Sequence, residues 1–499
     1  MLKYFFCRWY LFIAVFSAVL LHASYTPFLI LPLIPLSLYL ISRALSCSVK
    51  YWHSVLISFV FGYTYCLLGL YWIFPLLVAD AENFAWMIPW VFLGILALAI
   101  PYGAMGFCSH FFRHKLWTQR AAIAASFSTI EWIQTHYFVP WNFVGGALAF
   151  SEPLLQITSV LGIWGAGVFL LISALLFTFP YRNTWCAGFL LVFISYCFGF
   201  NKLNKPLGTN YSAPIRIVQP NISKNEIAQA NDAQKLSNLT SMIDLSFVDD
   251  ERTIIIWPET ALPFAVSSQS IWLNVLSPIV PKNGGLIFGA DRIENFPINK
   301  RWNSLFILNS DGGIDSYYDK VNLVPFGEYV PFSSFFSFFS PIATQGFDLQ
   351  TGEGAKTLRA RAKNVPAFSP LICYDVLFSN NVINPFDQPL WMLAVVNDGW
   401  FAGTTEPSQS LLHSRLRAIE YGIPTIRVAM SGISAVIDSN GRILSSLPFS
   451  SRGVIDSHLP KPLNNPTFYS KYKDIPGMVL LAAIWISVWL GKYFYHRRL

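Results

Sequence analysis

Three side chains in this sequence could together transfer an acyl group, and each stands at the end of an apolar run. Glu259 follows the run Thr253–Trp257, in Trp257-Pro258-Glu259-Thr260. Lys320 closes Tyr317-Tyr318-Asp319-Lys320, ahead of Val321-Asn322-Leu323-Val324-Pro325-Phe326-Gly327-Glu328. Cys373 ends the run from Pro366 to Ile372 and is followed by Tyr374-Asp375. A free thiol has a pKa of about 8.5, so only a few per cent is thiolate near neutrality. A carboxylate beside it can take the proton during attack. A lysine ammonium can stabilise first the thiolate and then the oxyanion of a tetrahedral intermediate, and a donor so placed contributes roughly 3 kcal/mol. A helix beginning at Tyr374 or Asp375 would add the positive potential of its free N–H groups at the sulfur. Each residue also has a plainer reading alone. A lone Glu or Lys at a strand end is commonly a solvated edge or half of a salt bridge, and a lone Cys a small buried hydrophobe.

Cysteine usage favours the chemical reading. Cys7, Cys47, Cys66, Cys108, Cys186 and Cys197 lie in or beside strongly apolar stretches, which leaves Cys373 alone in the polar part of the chain. An extracytoplasmic domain with one cysteine cannot staple itself, and its unpaired thiol is an oxidation hazard.

Groups of this kind need strand ends to hold them. From Pro214 onward the sequence supplies short β-rich runs: Ile215–Val218, Thr253–Trp257, Gly285–Gly289, Ser304–Asn309, Phe368–Ile372, Met392–Val396 and Thr425–Met430. Asn440–Gly441, between Ala435–Asp438 and Arg442–Leu447, is a hairpin turn signal, and Ser408–Tyr421 is helical in character. The alternation predicts an α/β domain whose central strands are buried on both faces, with catalytic groups gathered at strand ends. The segment from Pro331 to Phe347 carries Phe332, Phe335, Phe336, Phe338, Phe339 and Phe347 among Ser, Pro and Gly. It suits an apolar lid over acyl chains at a membrane surface, or a loop tucked into the core.

The rest of the chain is built for lipid. Of 499 residues, 54% are hydrophobic and only 12% charged, against about a quarter charged in a soluble domain. A spanning helix needs about 20 mostly apolar residues. The expected spans are Trp9–Ala23, Pro27–Ser42, Ser54–Val78, Phe84–Phe107, Ala121–His136, Leu154–Phe179, Thr184–Phe200 and Pro476–Phe494. Residues 1–204 therefore form a transmembrane bundle of about seven spans, 205–474 a soluble catalytic domain, and 475–499 a last span with a basic tail. The basic start, Met1 to Arg8, is read as the flank of an uncleaved anchor. Lys and Arg accumulate in cytoplasmic loops. Lys3, Arg8, Arg43, Lys50, Arg113, Lys115, Arg120, Arg182, Arg497 and Arg498 all fall in alternate loops, whereas the others carry Asp80 and Glu82 or no Lys or Arg. Both termini are thus expected in the cytoplasm and the soluble domain outside. The net charge of +7 comes from these loops; the soluble part has no basic stripe with interleaved aromatics, so nucleic acid is not an expected partner. His413 and His458 lack metal-ligand spacing.

The motifs resemble those of the nitrilase (carbon–nitrogen hydrolase) superfamily, and within it the membrane-embedded apolipoprotein N-acyltransferase family. Trp257-Pro258-Glu259-Thr260 is similar to the glutamate motif, KVNLVPFGEYVP from Lys320 to Pro331 to the lysine motif with its second glutamate, Glu328, and Pro370-Leu371-Ile372-Cys373-Tyr374-Asp375 to the nucleophile motif. Asn397-Asp398-Gly399-Trp400-Phe401 and the helix around His413, Arg417 and Glu420 also fit. So do Glu131-Trp132, Pro140-Trp141, Gly145 and Gln156 in the membrane part, where Glu131 either faces the bundle or interface as structure or acts directly. Three places depart. Asp375 stands where the family commonly has Glu, Gln219–Asn225 lacks the usual Lys-Trp pair, and Ala429-Met430-Ser431-Gly432 is not Asn-rich.

The resemblance implies an α/β/β/α sandwich joined to a helical bundle in a bacterial inner membrane, with the catalytic domain on the periplasmic side. It implies transfer of a fatty acyl chain from a phospholipid to the α-amino group of a diacylglyceryl-cysteine apolipoprotein. Glu259 is then the general base, Lys320 the oxyanion stabiliser and Cys373 the nucleophile. Glu328, Tyr374, Asp375 and Trp400 bind or orient substrate, and no metal or organic cofactor is implied. Other readings stay open at this point: a membrane-tethered amide hydrolase with the same triad, a Cys373–His413 thiol hydrolase, a transporter with a binding domain, for which Glu131 is nearly alone among the spans, or a structural anchor.

Overall fold

The structure is a computed structural model that describes residues 9–79, 87–141, 144–206, 213–223, 226, 230–267, 270–294, 300–325, 327–329 and 349–497. The segment 331–347, expected as a lid, lies outside the described residues. The chain divides into two compact units, 1–206 with 466–499, and 207–465.

In a bilayer no water is at hand to pair backbone N–H and C=O groups, so long apolar runs coil into helices. The first unit contains α1 (Tyr10–His22), α2 (Leu33–Ser46), α3 (Tyr51–Gly69), α4 (Ile73–Ala79), α5 (Ile88–Ala99), α6 (Tyr102–Phe111), α7 (Leu116–Tyr137), α8 (Glu152–Leu155), α9 (Thr158–Phe177) and α10 (Arg182–Leu203). Among the described residues, five helical stretches are long and apolar enough to cross a membrane: Tyr51–Gly69, Ile88–Phe111, Thr158–Phe177, Arg182–Leu203 and Ile475–Tyr495. Within two of the expected spans, backbone chemistry interrupts the regular helix. The run read as Phe84–Phe107 divides into α5 and α6 around Ile100–Pro101, because proline supplies no N–H to continue the ladder. The run Leu154–Phe179 contains two helices, and Gly162 inside the second has φ +67°. A Cβ there would lie 2.2 Å from the ring of Tyr469. α7 is more polar than a lipid-facing helix because most of it is enclosed by protein, with Gln119, Arg120, Ser126, Ser128 and Glu131 buried. Glu131 faces inward, its Oε1 accepting the Val144 N–H at 2.8 Å.

The second unit carries β1 (Pro214–Gln219), α11 (Asp232–Ser246), β2 (Ile254–Ile256), α12 (Ile271–Leu276), β3 (Gly285–Glu294), β4 (Lys300–Leu308), β5 (Ile314–Asp319), β6 (Phe368–Ile372), β7 (Trp391–Val396), α13 (Glu406–Tyr421), β8 (Thr425–Ala429), β9 (Ser434–Ile437), β10 (Ile443–Leu447) and β11 (Gly453–His458). Two sheets form, in orders β11-β1-β2-β3-β4-β5 and β10-β9-β8-β7-β6. Ile217, Ile256, Ile287 and Ile307 of the first sheet share one buried cluster with Phe368, Leu393, Val395 and Val428 of the second, so the sheets pack face to face. The outer face of the first sheet buries Ile255, Phe288 and Phe306 against Leu239 and Met242 of α11 and Leu273 and Leu276 of α12. Ala418 of α13 packs on Ala435 and Ile437 of the second sheet. The layers are helix, sheet, sheet, helix. Gly422, at φ +67°, ends α13 by donating its N–H to the Ala418 carbonyl, a left-handed stop that glycine adopts without strain.

After the second unit the chain returns to the first through α14 (Phe468–Tyr472) and α15 (Ile475–His496). α14 packs on α9 within the bundle, although its polar composition assigns it to the soluble stretch.

Candidate active site

β2 ends at Ile256, and the chain then turns sharply through Pro258-Glu259-Thr260, with Thr260 at φ +47°. Gly289 of β3 lets that turn lie against the sheet: a Cβ at this position would come within 2.6 Å of the Thr260 nitrogen and 2.8 Å of the Glu259 Cα. Lys320 follows β5 directly, its N–H donating to the Asn303 carbonyl of β4 at 2.9 Å. Cys373 follows β6 directly at φ +49° and begins a one-turn 3-10 helix, Cys373–Leu377. A side chain at positive φ costs roughly 1–3 kcal/mol and persists only where its surroundings over-determine it.

Asp375 supplies much of that determination. Its Oδ1 accepts the Asn322 backbone N–H at 2.8 Å and the Asn322 side-chain amide at 2.9 Å. Its Oδ2 accepts the Tyr318 hydroxyl at 3.0 Å and the Ile372 N–H at 3.2 Å. This one carboxylate ties the Cys373 turn to the strand and loop that carry Lys320. Burial pushes Asp375 above the usual carboxylate range, while the Lys320 charge and the Asn322 donors pull it back.

Lys320 is 1% exposed. Its Nζ donates to Glu328 Oε1 at 2.8 Å and reaches Glu259 Oε1 at 3.4 Å. Asn303 Nδ2 bridges the same two oxygens, at 2.8 Å to Glu259 and 3.1 Å to Glu328. Glu328 Oε2 accepts the Val324 N–H at 2.8 Å, which closes the loop onto itself. Burial disfavours the ammonium, yet the two carboxylates outweigh it and hold Lys320 above its ordinary value. Glu259 is raised from the usual range, first by burial and then by Glu328, against the opposing pull of Lys320. The charges of Glu259, Lys320, Glu406 and Glu328 all bear on Cys373, and burial followed by Glu259 pushes its thiol well above the ordinary value. The resting group is therefore a neutral thiol under the charge of a carboxylate whose proton affinity burial has increased. That arrangement fits proton transfer during attack better than a standing thiolate.

The remaining sequence-stated residues fall as follows. Tyr374 packs edge-on against Phe378, ring centroids 5.1 Å apart. Trp400 belongs to the 3-10 turn Asp398–Phe401. His413 is buried in α13, and burial together with Arg417 and Arg427 lowers its pKa to about 3. An imidazole so disfavoured as a cation is a poor base for Cys373. Asn303, Tyr318 and Asn322 were not singled out from sequence. The only trace of Asn303 is a polar side chain inside the β4 run, and which groups it meets depends on the pairing of β4 with β5, Ser304 opposite Asp319.

Comparison with known proteins agrees with both units. Residues 215–463 match the carbon-nitrogen hydrolase family, and residues 17–176 match the apolipoprotein N-acyltransferase N-terminal domain. The apolipoprotein N-acyltransferase of Rhodopseudomonas palustris is 33% identical over 464 residues, covering 87% of this chain and 85% of that protein. Its counterpart in Bradyrhizobium diazoefficiens is 33% identical over 463 residues, covering 86% and 84%. Among solved structures, a CN-hydrolase superfamily protein from Xanthomonas campestris is 16% identical with a TM-score of 0.37, over 50% of this chain and 90% of that one. With a third of its residues shared along most of its length, and both domain types matched in order, this chain belongs to the apolipoprotein N-acyltransferase family of multi-pass membrane proteins, within the nitrilase superfamily.

Proposed function

We propose that this chain transfers a fatty acyl group from a phospholipid to the α-amino group of the diacylglyceryl-cysteine of an apolipoprotein, by way of a thioester on Cys373. The observation that carries the reading is the hydrogen-bonded unit of Glu259, Lys320, Glu328 and Asn303, whose charges converge on a thiol held at a strained strand end. In the first half-reaction the sulfur attacks the ester carbonyl while Glu259 takes the thiol proton. Lys320 stabilises the oxyanion, and Glu259 returns the proton to the departing lysophospholipid alcohol. In the second, the amine attacks the thioester, Glu259 accepts its proton, and the sulfur leaves to be reprotonated. Glu328 and Asn303 keep the ammonium charged and fixed, so that no reorganisation is needed as charge develops.

The same reading places the catalytic unit on the periplasmic side of the inner membrane. It is supported by contacts that gather basic loops at one end of the bundle: Arg113 donates to the Ser48 carbonyl, Arg120 to the Thr178 carbonyl, and Lys115 lies over the Tyr495 ring. Cations clustered at one end mark the cytoplasmic side.

Purified protein given phospholipid alone should gain the mass of one acyl chain, removable by hydroxylamine. A diacylglyceryl-cysteine peptide with a free amino terminus should discharge it with ping-pong kinetics. Cys373→Ala should give no adduct, and Glu259→Gln or Lys320→Met should form it far more slowly. Release of free fatty acid with no transfer to peptide would favour an amide- or ester-hydrolysing role, and an adduct persisting in Cys373→Ala would remove the cysteine from the mechanism. His413→Ala should retain acylation, which separates the triad from a Cys373–His413 pair.

A further inference from the structure

Within the bundle, α6 and α15 each pack along α7. Between them an open groove of about 470 Å³ lies, lined by Phe107, Cys108, Phe111, Phe112, Trp485 and Trp489. This is the size range of small-ligand sites, ~300–1,000 Å³. Aromatic rings form its walls. Phe112 meets Trp489 edge-on at 5.1 Å, and Phe111 meets Trp489 at 6.0 Å. Phe107, Phe111 and Trp489 are exposed on the bundle surface, where a bilayer would cover them.

One end of the groove is cationic. Lys492, one turn beyond Trp489, lays its Nζ 2.9 Å from the centre of the Phe111 ring. Lys115 lies over the Tyr495 ring at 5.9 Å, on which His114 also stacks. Arg113 stands in the same turn, and Arg497 covers Tyr493. No Asp or Glu occurs anywhere in 102–130 or 475–499. Among the described residues Lys492 has no carboxylate partner, only ring faces. An apolar trough ending in cations that meet no carboxylate among the described residues is complementary to a lipid with an anionic headgroup, and basic pockets between helices at the cytoplasmic face bind such headgroups.

We propose that this groove binds one anionic phospholipid of the bilayer, of the phosphatidylglycerol type. One acyl chain lies along Phe107, Phe111, Trp485 and Trp489, and the phosphodiester is held by Lys492 together with Lys115. The site is built from residues of the membrane unit alone.

Native mass spectrometry of the full-length protein in detergent tests it, with dioleoyl phosphatidylglycerol and dioleoyl phosphatidylcholine as probes. The wild-type chain should retain more of the anionic lipid at equal concentration. Lys492→Gln should weaken that binding about five-fold, the effect of one cation near an anionic headgroup, and leave phosphatidylcholine binding as it was. Lys492→Arg should keep the preference, which separates loss of charge from disturbance of the helix. Trp489→Ala should weaken both lipids. Equal binding of the two lipids by the wild-type chain overturns the proposal, as does an undiminished preference in Lys492→Gln or a loss in Lys492→Arg as large as in Lys492→Gln. Dihexanoyl phosphatidylglycerol binding as well as the dioleoyl form would equally overturn it, since the groove would then contribute nothing.

Discussion

Asn303 donates one amide group to two carboxylates at once, 2.8 Å from Glu259 and 3.1 Å from Glu328. Hydrogen bonds to charged groups contribute about 1.5–3 kcal/mol each, so Asn303→Ala should slow acyl-enzyme formation roughly 10- to 100-fold. Single-turnover mass spectrometry measures this, and if Glu259 and Lys320 act as proposed the loss should fall on the acylation rate more than on substrate affinity. The same buried cluster sets the pH dependence. As the proposed base, Glu259 has to be ionised to take the thiol proton, and burial raises its pKa. Acylation should therefore increase with pH and reach half its maximum above the ordinary Glu value of about 4.3. Lys320 is held charged by its two carboxylates, so deprotonation of the lysine should not cause a fall near neutrality. An acid limb centred at or below the ordinary carboxylate value would contradict this assignment of the base.

At the scale of elements, two close approaches hold the site. Gly289 leaves room for the Pro258-Glu259-Thr260 turn, since a Cβ would meet backbone atoms at 2.6 to 2.8 Å. Backbone cannot yield as a flexible side chain can, and overpacking costs roughly 1–3 kcal/mol. Gly289→Ala should lower the melting temperature and slow acylation more than an equally destabilising core change elsewhere in the domain, because the displaced backbone carries the proposed base. Asp375 ties β6, the Cys373 turn and Asn322 together through four donors. Asp375→Ala leaves those donors unpaired in the interior, at a cost of several kcal/mol for so many groups, so thermal unfolding of the catalytic unit should shift clearly downward. Asp375→Asn keeps the shape but brings an N–H to face other donors, and should also destabilise. In both variants the geometry of Cys373 suffers because the strained φ loses its restraint.

Across the whole molecule, small residues let the bundle close. Gly165 of α9 and Gly477 of α15 meet so tightly that a Cβ on Gly477 would sit 2.8 Å from the Gly165 Cα. Helices in lipid gain association energy from such close packing, since no hydrophobic force drives them together. Gly477→Leu should therefore part α15 from α9 and lower the unfolding temperature in detergent, while leaving the soluble unit's own core untouched. Topology is open to an independent check. In a background without the native cysteines, a reporter cysteine at position 204 should react from the periplasmic side and one at position 115 only after the membrane is breached. Labelling of position 204 from the cytoplasm would reverse the compartment of the catalytic unit.

The sequence by itself determined the two kinds of material in this chain and the residues able to do chemistry. Apolar runs of spanning length must become helices in lipid, and β-rich runs with period-2 or fully buried character must become strands, because both outcomes depend on local side-chain pattern. Seven of the strand runs and the Asn440–Gly441 hairpin were legible on that basis. β5 and β11 were not: their polar, partly exposed residues, as in Ile314-Asp315-Ser316 and Asp456-Ser457-His458, form strands because neighbouring β4 and β1 supply unpaired ladder groups. Glu259, Lys320 and Cys373 were legible as candidates from type and position, and Glu328 through the family resemblance of its motif. Their supports were not, because Asn303, Tyr318 and Asn322 acquire meaning only through contacts between segments far apart in the chain. Nor was it legible that Asp375, expected to bind or orient substrate, accepts four hydrogen bonds from the fold itself. Tertiary structure alone decided these points, since a buried polar group is satisfied by whatever the packed chain brings to it.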